Sequence, residues 1–359
     1  MTVGKVGMFG GKFLPCPHMG HVYAMIRAST MVDELHVILS YDEEHEKKMC
    51  AGSKIPHIPY RVRLRWWSQL TKDMPHVHVH AVYEQQTGNR SDWERGAEGI
   101  RAAIGKPIDT VFSSEHGYTE IFRDLYPDAR HVVIDANREA YPISGTMLRT
   151  EGVMKHWHML PEIVKPSFAK KVVVVGTESC GKSTLVRNLA NLYNTTYVEE
   201  WGRTYYERLG NCEDITLPED YPEIAFEHKY HEKVQLAKAN KVLFIDTEAI
   251  VTQYFSMLYL GQRQPVLDEV ARLQQYDLWL FLEPDVKWVD DGTRSFGDQQ
   301  VREKNNELLK NLLREFGVSY QTISGDYQQR LEQAIGYVNE LVKGNELVKG
   351  RELVKENEL

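Results

Sequence analysis

Twice in this chain a β-branched or apolar run breaks at glycine and opens at once into a helix-like segment. The first instance is VGKVGMFGGKFLPCPHMGHVYAMIRAS, from Val3; the second, about 165 residues later, is KKVVVVGTESCGKSTLVRNLA, from Lys170. A strand, glycine turn and helix in that order bring the backbone close to a ligand and point unpaired helix N–H groups at it, a geometry suited to phosphate. Two such openings in 359 residues predict two domains. The segment MLPEIVKPSFAKK, with Pro161 and Pro166, reads as the linker, which sets domains at 1–165 and 166–343.

Strand-like and helix-like segments alternate in both halves. LHVILS (35–40), HVHVHAV (76–82), DTVFSS (109–114) and HVVID (131–135) read as strands, with helices near 19–32, 59–71, 92–104 and 117–126. In the second half VVVVG, TTYVE (195–199), VLFID (242–246), LWLFL (278–282) and VSYQTI (318–323) read as buried strands, separated by helices that include 182–193, 224–240 and 300–316. Alternation of this kind predicts an α/β fold with a parallel sheet in each domain. The C-terminus runs NELVKG, NELVKG, RELVKE, NEL. A six-residue period turns a helix by about 240° net, so its apolar pairs form no single stripe. Residues 344–359 are therefore expected to be a disordered tail.

Composition narrows the ligands. With 42% hydrophobic and 26% charged residues, the chain can bury two cores. No apolar run approaches the ~18 residues of a membrane span, and the N-terminus has no cleavable signal pattern. Cys16, Cys50, Cys180 and Cys212 form no CxxC pair, which fits a reducing cytoplasm. Residues 1–165 hold 20 basic and 20 acidic side chains, and residues 166–359 hold 23 and 31, so neither half has the basic excess that a nucleic-acid backbone requires. Small phosphorylated ligands need only a few local donors and remain open.

In the first opening, His18 and His21 stand three apart at the helix start, on the same side of its first turn, where both can donate to phosphate oxygens. Near the end of the same half, ISGTMLR places Ser144 or Thr146 to cap a helix and Arg149 to face a polyphosphate. Trp93 offers a face for stacking on a base or pyridinium, and Asp135 and Arg138 sit at a strand end beside the expected site. His76, His78 and His80 alternate on one strand; Val77 and Val79 are expected to face the core and the histidines to face out.

The second opening fits GxxxxGK[ST] from Gly176 to Ser183: Gly176, Glu178, Ser179, Cys180 and Gly181 wrap phosphates, Lys182 reaches them, Ser183 ligates Mg²⁺ and Thr184 continues into the helix. Asp246, at the end of VLFID, is placed to help hold the metal; capping the next helix is compatible with the same position. Glu200 and Arg203, in VEEWGR, sit at a strand end facing the nucleotide crevice, where a carboxylate can orient or deprotonate a hydroxyl. In WVDDGTR, Arg294, together with Arg302 further on, could close on the transferring phosphate, and Asp290 and Asp291 could bind sugar hydroxyls.

HxGH with ISxTxxR resembles the nucleotidylyltransferase superfamily, and the two motifs bracket nearly all of the first half. That half joined to a P-loop kinase half, with VEEWGR, FIDTEA and WVDDGTR, resembles the bifunctional nicotinamide-mononucleotide adenylyltransferase and ribosylnicotinamide kinase family of the NadR type over about residues 3–335. The resemblance implies a Rossmann-like sheet followed by a P-loop kinase sheet. It assigns His18, His21 and Arg149 to phosphate contact, with ATP held also by Gly10, Gly11, Lys12, Phe13, Gly20, Ser144 and Thr146. In the kinase half it assigns Glu200 and Arg203 to an E-x-x-R element, and Trp288, Asp290, Asp291 and Arg294 to a substrate and lid element. The implied reactions are phosphorylation of nicotinamide riboside by ATP and adenylylation of the resulting mononucleotide to NAD, both with Mg²⁺. One departure stands out: Pro15 is followed by Cys16 and Pro17, one residue more than the family usually has before its first histidine. The catalytic strand begins near Val3, so no helix-turn-helix is expected before it. Small molecules are the expected partners, with neither nucleic acid nor membrane, and a homo-oligomer is compatible. A fusion acting on a different phosphorylated cofactor precursor, and a nucleotide sensor with one idle site, are the alternatives.

Overall fold

A computed structural model describes residues 4–210, 215–285 and 299–342. The chain divides into two compact units, the second beginning at Pro166. The expectations on Trp288, Asp290, Asp291, Arg294 and the tail 344–359 lie outside the described residues.

The first unit runs β1 (Val6–Gly11), α1 (Met19–Ser29), β2 (Glu34–Tyr41), α2 (Glu43–Cys50), α3 (Tyr60–Leu70), β3 (Val77–Tyr83), α4 (Arg90–Ile104), β4 (Thr110–Ser113), α5 (Thr119–Leu125), β5 (Arg130–Val133) and α6 (Gly145–Glu151). All neighbouring strands are parallel, in the order β3-β2-β1-β4-β5. Alternation on β1 serves two cores. Phe9 packs with Val37, Leu39 and Trp67 on one face, while Met8 packs with Ile38, Val82 and Ile100 on the other. The helix expected over 117–126 is a short 3₁₀ turn at His116–Tyr118 followed by α5. On β3, Val77 is buried and Val79 packs partly against the core, as the pattern predicts, but of the three histidines His78 alone is exposed; His80 Nε2 lies 2.9 Å from His36 Nδ1 on the neighbouring strand.

The second unit runs β6 (Lys170–Val175), α7 (Lys182–Leu192), β7 (Tyr197–Val198), α8 (Trp201–Arg208), α9 (Asp220–Leu236), β8 (Val242–Asp246), α10 (Ala249–Leu260), α11 (Pro265–Leu273), β9 (Leu278–Leu282), α12 (Gln299–Glu315), β10 (Gln321–Ile323) and α13 (Tyr327–Leu341). Its strands are also parallel, in the order β10-β9-β6-β8-β7. The β-branched run of β6 is buried at the centre, as an apolar central strand with both faces covered must be. β7 and β10 are two and three residues long, shorter than their apolar runs suggest, because both lie at sheet edges and have one pairing partner each. In each sheet the first strand has neighbours reached by crossovers in opposite directions, so the crevice beyond its carboxyl end is the ligand position such folds provide. Among the described residues no helix is long and apolar enough to cross a membrane.

Candidate active sites

In the first unit the crevice after β1 gathers the HxGH turn, the loop after β4 and the first turn of α6. His18 is the N-cap of α1. Its Nδ1 accepts from the His21 main-chain N–H at 3.3 Å, and His21 Nδ1 accepts from the His18 N–H at 3.4 Å. This reciprocal box assigns each ring its tautomer: Nδ1 accepts, so the proton sits on Nε2. The rings stack with centroids 3.6 Å apart. Burial, then the nearby Arg138 charge, lowers the His18 pKa to about 3; burial, His18 and Arg138 push that of His21 well below its ordinary value. Both are neutral at physiological pH, each with an Nε2–H donor and no charge of its own.

The turn before them is braced from behind. Phe13, at φ +49°, is buried against Trp67 (centroids 4.7 Å) and meets the His21 ring edge-on at 5.0 Å. The Lys12 carbonyl accepts from Arg63, which is fully buried on α3, donates to the Ile58 carbonyl at 3.1 Å and pairs with Glu46; His57 Nε2 lies 3.1 Å from the same carboxylate. Lys12 Nζ is 3.3 Å from Gln86 Oε1, and burial lowers its pKa against the pull of Glu46, Glu84 and Asp42. Arg149 donates to the Leu14 carbonyl at 3.0 Å and to Thr146 Oγ1 at 3.1 Å, and Ser144 caps α6 by accepting from the Met147 N–H at 3.1 Å. The extra proline-loop residue is thus accommodated: Leu14 lies buried under α6 and Arg149 still reaches the turn.

Gly10, Gly11, Gly20, Thr146, Arg138 and Trp93 line the same cleft, as does Asp135. Asp135 also organises its own loop. Its carboxylate accepts from the Glu139 and Ala140 N–H groups at 2.8 and 3.2 Å, so it shapes the turn that carries Arg138. Arg138 is held loosely by Glu115 at 3.4 Å. Trp93 is exposed, 5.9 Å from the Tyr118 ring, and the two leave an aromatic rim to the cleft.

In the second unit the P-loop joins β6 to α7. Gly176 has φ +151°, and a Cβ there would stand 2.7 Å from the Leu282 carbonyl oxygen and 2.9 Å from Cys180 Sγ; Gly181, at φ +87°, starts the helix. Lys182 is buried, with Nζ 2.9 Å from the Thr177 carbonyl. Burial works against its charge, but Cys180, Glu200, Asp246 and Glu178 more than compensate and raise its pKa. Cys180 Sγ also donates to Thr177 O, Ser179 stands at φ +59°, and Glu178 accepts from the Tyr259 hydroxyl. Thr184 is exposed on α7. Behind the loop, Arg330 of α13 donates to the main-chain oxygens of Cys180, Glu283 and Gly325 and pairs with Asp285, tying the P-loop to the end of β9.

Asp246 is buried at the end of β8. Burial, then Glu200, raises its pKa to about 6, against Lys182 and a hydrogen bond with Ser183. The cap of α10 is Glu248, which accepts from the Ile250 and Val251 N–H groups at 2.7 and 3.1 Å, so Asp246 is not consumed by capping. Its Oδ1 has no hydrogen-bond partner among the described residues. A buried carboxylate oxygen without a donor, beside the Ser183 hydroxyl, fits a hard cation such as Mg²⁺. Next to the P-loop lies a cavity lined by Lys182, Glu200, Arg203, His228, Phe255 and Tyr259, among others. Arg203 Nη2 is 3.8 Å from Glu200 Oε2. Arg302 is buried within α12 and is not among the residues lining this cavity. Sequence reasoning missed Arg63 and Arg330, whose only signal is a charged residue at an otherwise buried helix position. It also missed His228 and the aromatic residues of α10, which belong to no motif.

Comparison with known proteins reaches both units. A family model described as an AAA domain matches residues 171–330. The trifunctional NAD biosynthesis/regulator protein NadR of Escherichia coli K12 is 33% identical over 346 residues, covering 94% of this chain and 83% of its own length. A crystal structure of NadR protein with NR superimposes with a TM-score of 0.77 at 25% identity, over 95% of this chain and 97% of that one. A second, with NAD and AMP-PNP, gives the same score at 24% identity, over 95% and 96%.

Proposed function

This chain belongs to the NadR family, and from that membership we propose that it makes NAD in two ATP-dependent steps. In the second unit the 5′-hydroxyl of nicotinamide riboside attacks the γ-phosphorus of ATP. The bond to the ADP oxygen breaks, and the hydroxyl proton passes to Glu200. In the first unit a phosphate oxygen of the mononucleotide attacks the α-phosphorus of a second ATP, and pyrophosphate leaves with the electron pair of the broken bond. That attacking oxygen is already anionic, so no base is required, and catalysis is positioning plus charge stabilisation.

The observation that carries this reading is the pairing, in each unit, of a phosphate-binding glycine turn with an adjoining aromatic-edged cavity. His18, His21, Arg138 and Arg149 face the triphosphate in the first unit, with Trp93 stacking on a flat ring. Lys182 and Arg203 face it in the second. Ser183 and Asp246 would hold Mg²⁺, which when bound shields phosphate charge. Small molecules are then the ligands of both units, and the buried free thiols of Cys16, Cys50 and Cys180 suit a cytoplasmic setting.

The test is direct. Purified protein is incubated with nicotinamide riboside, ATP and Mg²⁺, and products are followed by chromatography. Mononucleotide and ADP, then NAD and pyrophosphate, are expected. Absence of mononucleotide removes the kinase assignment; absence of NAD when mononucleotide is supplied removes the adenylyltransferase assignment.

A further inference from the structure

We propose that His228 reads the sugar of the phosphoryl acceptor, its Nδ1 accepting a hydrogen bond from one of the ring hydroxyls. The inference rests on the reading of the second-unit cavity as the acceptor site. His228, on α9, is only 4% exposed and lines that cavity. Its Nε2 lies 3.1 Å from the main-chain oxygen of Asp246. A carbonyl oxygen can only accept, so Nε2 carries the proton; burial keeps the ring neutral, which leaves the lone pair on Nδ1. That Nδ1 is buried and has no hydrogen-bond partner among the described residues. Buried acceptors left unfilled are uncommon and unfavourable, and one lining a ligand cavity is completed by a ligand donor.

Position decides which donor. The anchor is the main chain of Asp246, whose residue lines the adjoining pocket together with Ser183, Glu200 and Arg203 at the P-loop end. The hydroxyl that receives phosphate must approach there, so the group beside His228 is the sugar rather than the flat ring attached to it. Glu200, on the same cavity, is a second group that can only accept once ionised, having no proton to donate. Two acceptors flanking one end suit the hydroxyls of a polyol. No motif announces His228, because its role depends on a tautomer fixed by a backbone oxygen 18 residues away.

The full-length protein tests this through kinase kinetics at saturating ATP, with nicotinamide riboside and its 2′-deoxy and 3′-deoxy analogues. Wild type should lose about 10–100-fold in kcat/KM on at least one analogue. His228→Leu should raise KM for the riboside by a similar factor with kcat changed less than about threefold, and should lose nothing further on that analogue. His228→Gln can donate to Asp246 O and still present an acceptor, so its KM should return to within about fivefold of wild type. Adenylylation of supplied mononucleotide reports that each variant is folded in its first unit. A His228→Leu enzyme that discriminates against both analogues as wild type does, or that loses kcat at unchanged KM, overturns the proposal. If His228→Leu does not fold its second unit, a folded His228→Gln with a KM as high as on the deoxy analogues overturns it instead. A wild type that phosphorylates no riboside overturns the function reading and this inference together, whereas an active wild type with uncoupled His228 overturns this inference alone.

Discussion

At the scale of single residues, burial moves the pKa of a titratable group in each site away from its ordinary value. His18 is the first case. Its pKa is about 3 in the folded chain against an ordinary 6.5, burial being the main cause. As pH falls below about 6.5 the unfolded chain takes up a proton that the folded chain refuses. Stability is therefore lost progressively from there down to about 3, at up to about 1.4 kcal/mol per pH unit. His18→Asn keeps a cap acceptor and removes the titration. Its unfolding free energy, measured by urea titration at several pH values, should fall with acid less steeply than that of wild type, by close to one proton. Asp246 is the opposite case. Its folded pKa, raised to about 6 by burial first and then Glu200, lies above the ordinary 3.8. Its contribution favours folding at low pH and is lost as pH rises through about 6, so at neutral pH the buried carboxylate is a net cost. Asp246→Asn should stabilise the ligand-free protein by about 1–2 kcal/mol at pH 7, less than the whole shift because Lys182 loses a counter-charge. The gain should vanish toward pH 4 in thermal melts, while riboside phosphorylation falls at least about 100-fold.

At the scale of elements, close approach rather than side-chain chemistry sets the sites. Gly145 opens α6, and a Cβ there would stand 2.3 Å from the Leu14 carbonyl oxygen, the same oxygen that receives Arg149. Gly145→Ala must push α6 off the proline loop and carry Arg149 with it. Adenylyl transfer is expected to drop about 100-fold or more, with a stability loss of about 1–3 kcal/mol, and riboside phosphorylation should be unchanged. Equal activity in the variant would show that α6 does not need to touch that loop. This contact also marks what the sequence made legible. The two glycine turns, the parallel strands and the cap at Ser144 follow from local patterns, since period and capping chemistry act over a few residues. What stayed hidden depends on distant partners. AIVTQYFSMLYL of α10 is apolar nearly all round and carries no amphipathic stripe, because it is buried among α9, α11 and α12. EEHEKKMC of α2 reads as a charged surface run, yet Glu46 within it is fully buried against Arg63. Arg330 and His228 owe their positions to backbone oxygens of other elements, which no local pattern encodes.

At the scale of the whole molecule, the two units have separate cores, and each carries its own glycine turn, so each proposed chemistry should survive loss of the other. His21 accepts from the His18 N–H through Nδ1 within the first unit, and its ring packs only on Phe13 and His18 among the described aromatic contacts. Lys182 is held by Thr177 O and the acidic groups of the second unit. His21→Ala should lower adenylyl transfer at least about 100-fold and leave riboside phosphorylation within about twofold. Given riboside and ATP, that variant should accumulate mononucleotide and ADP in equal amounts and release little pyrophosphate. Lys182→Ala should show the mirror image: no mononucleotide from riboside, but NAD and pyrophosphate at the wild-type rate from supplied mononucleotide. The pair of product ratios separates a chain with two working centres from a sensor with one idle site, because an idle centre gives no activity for its own variant to remove. If each variant depressed both activities alike, the two cradles would not be acting as separate centres.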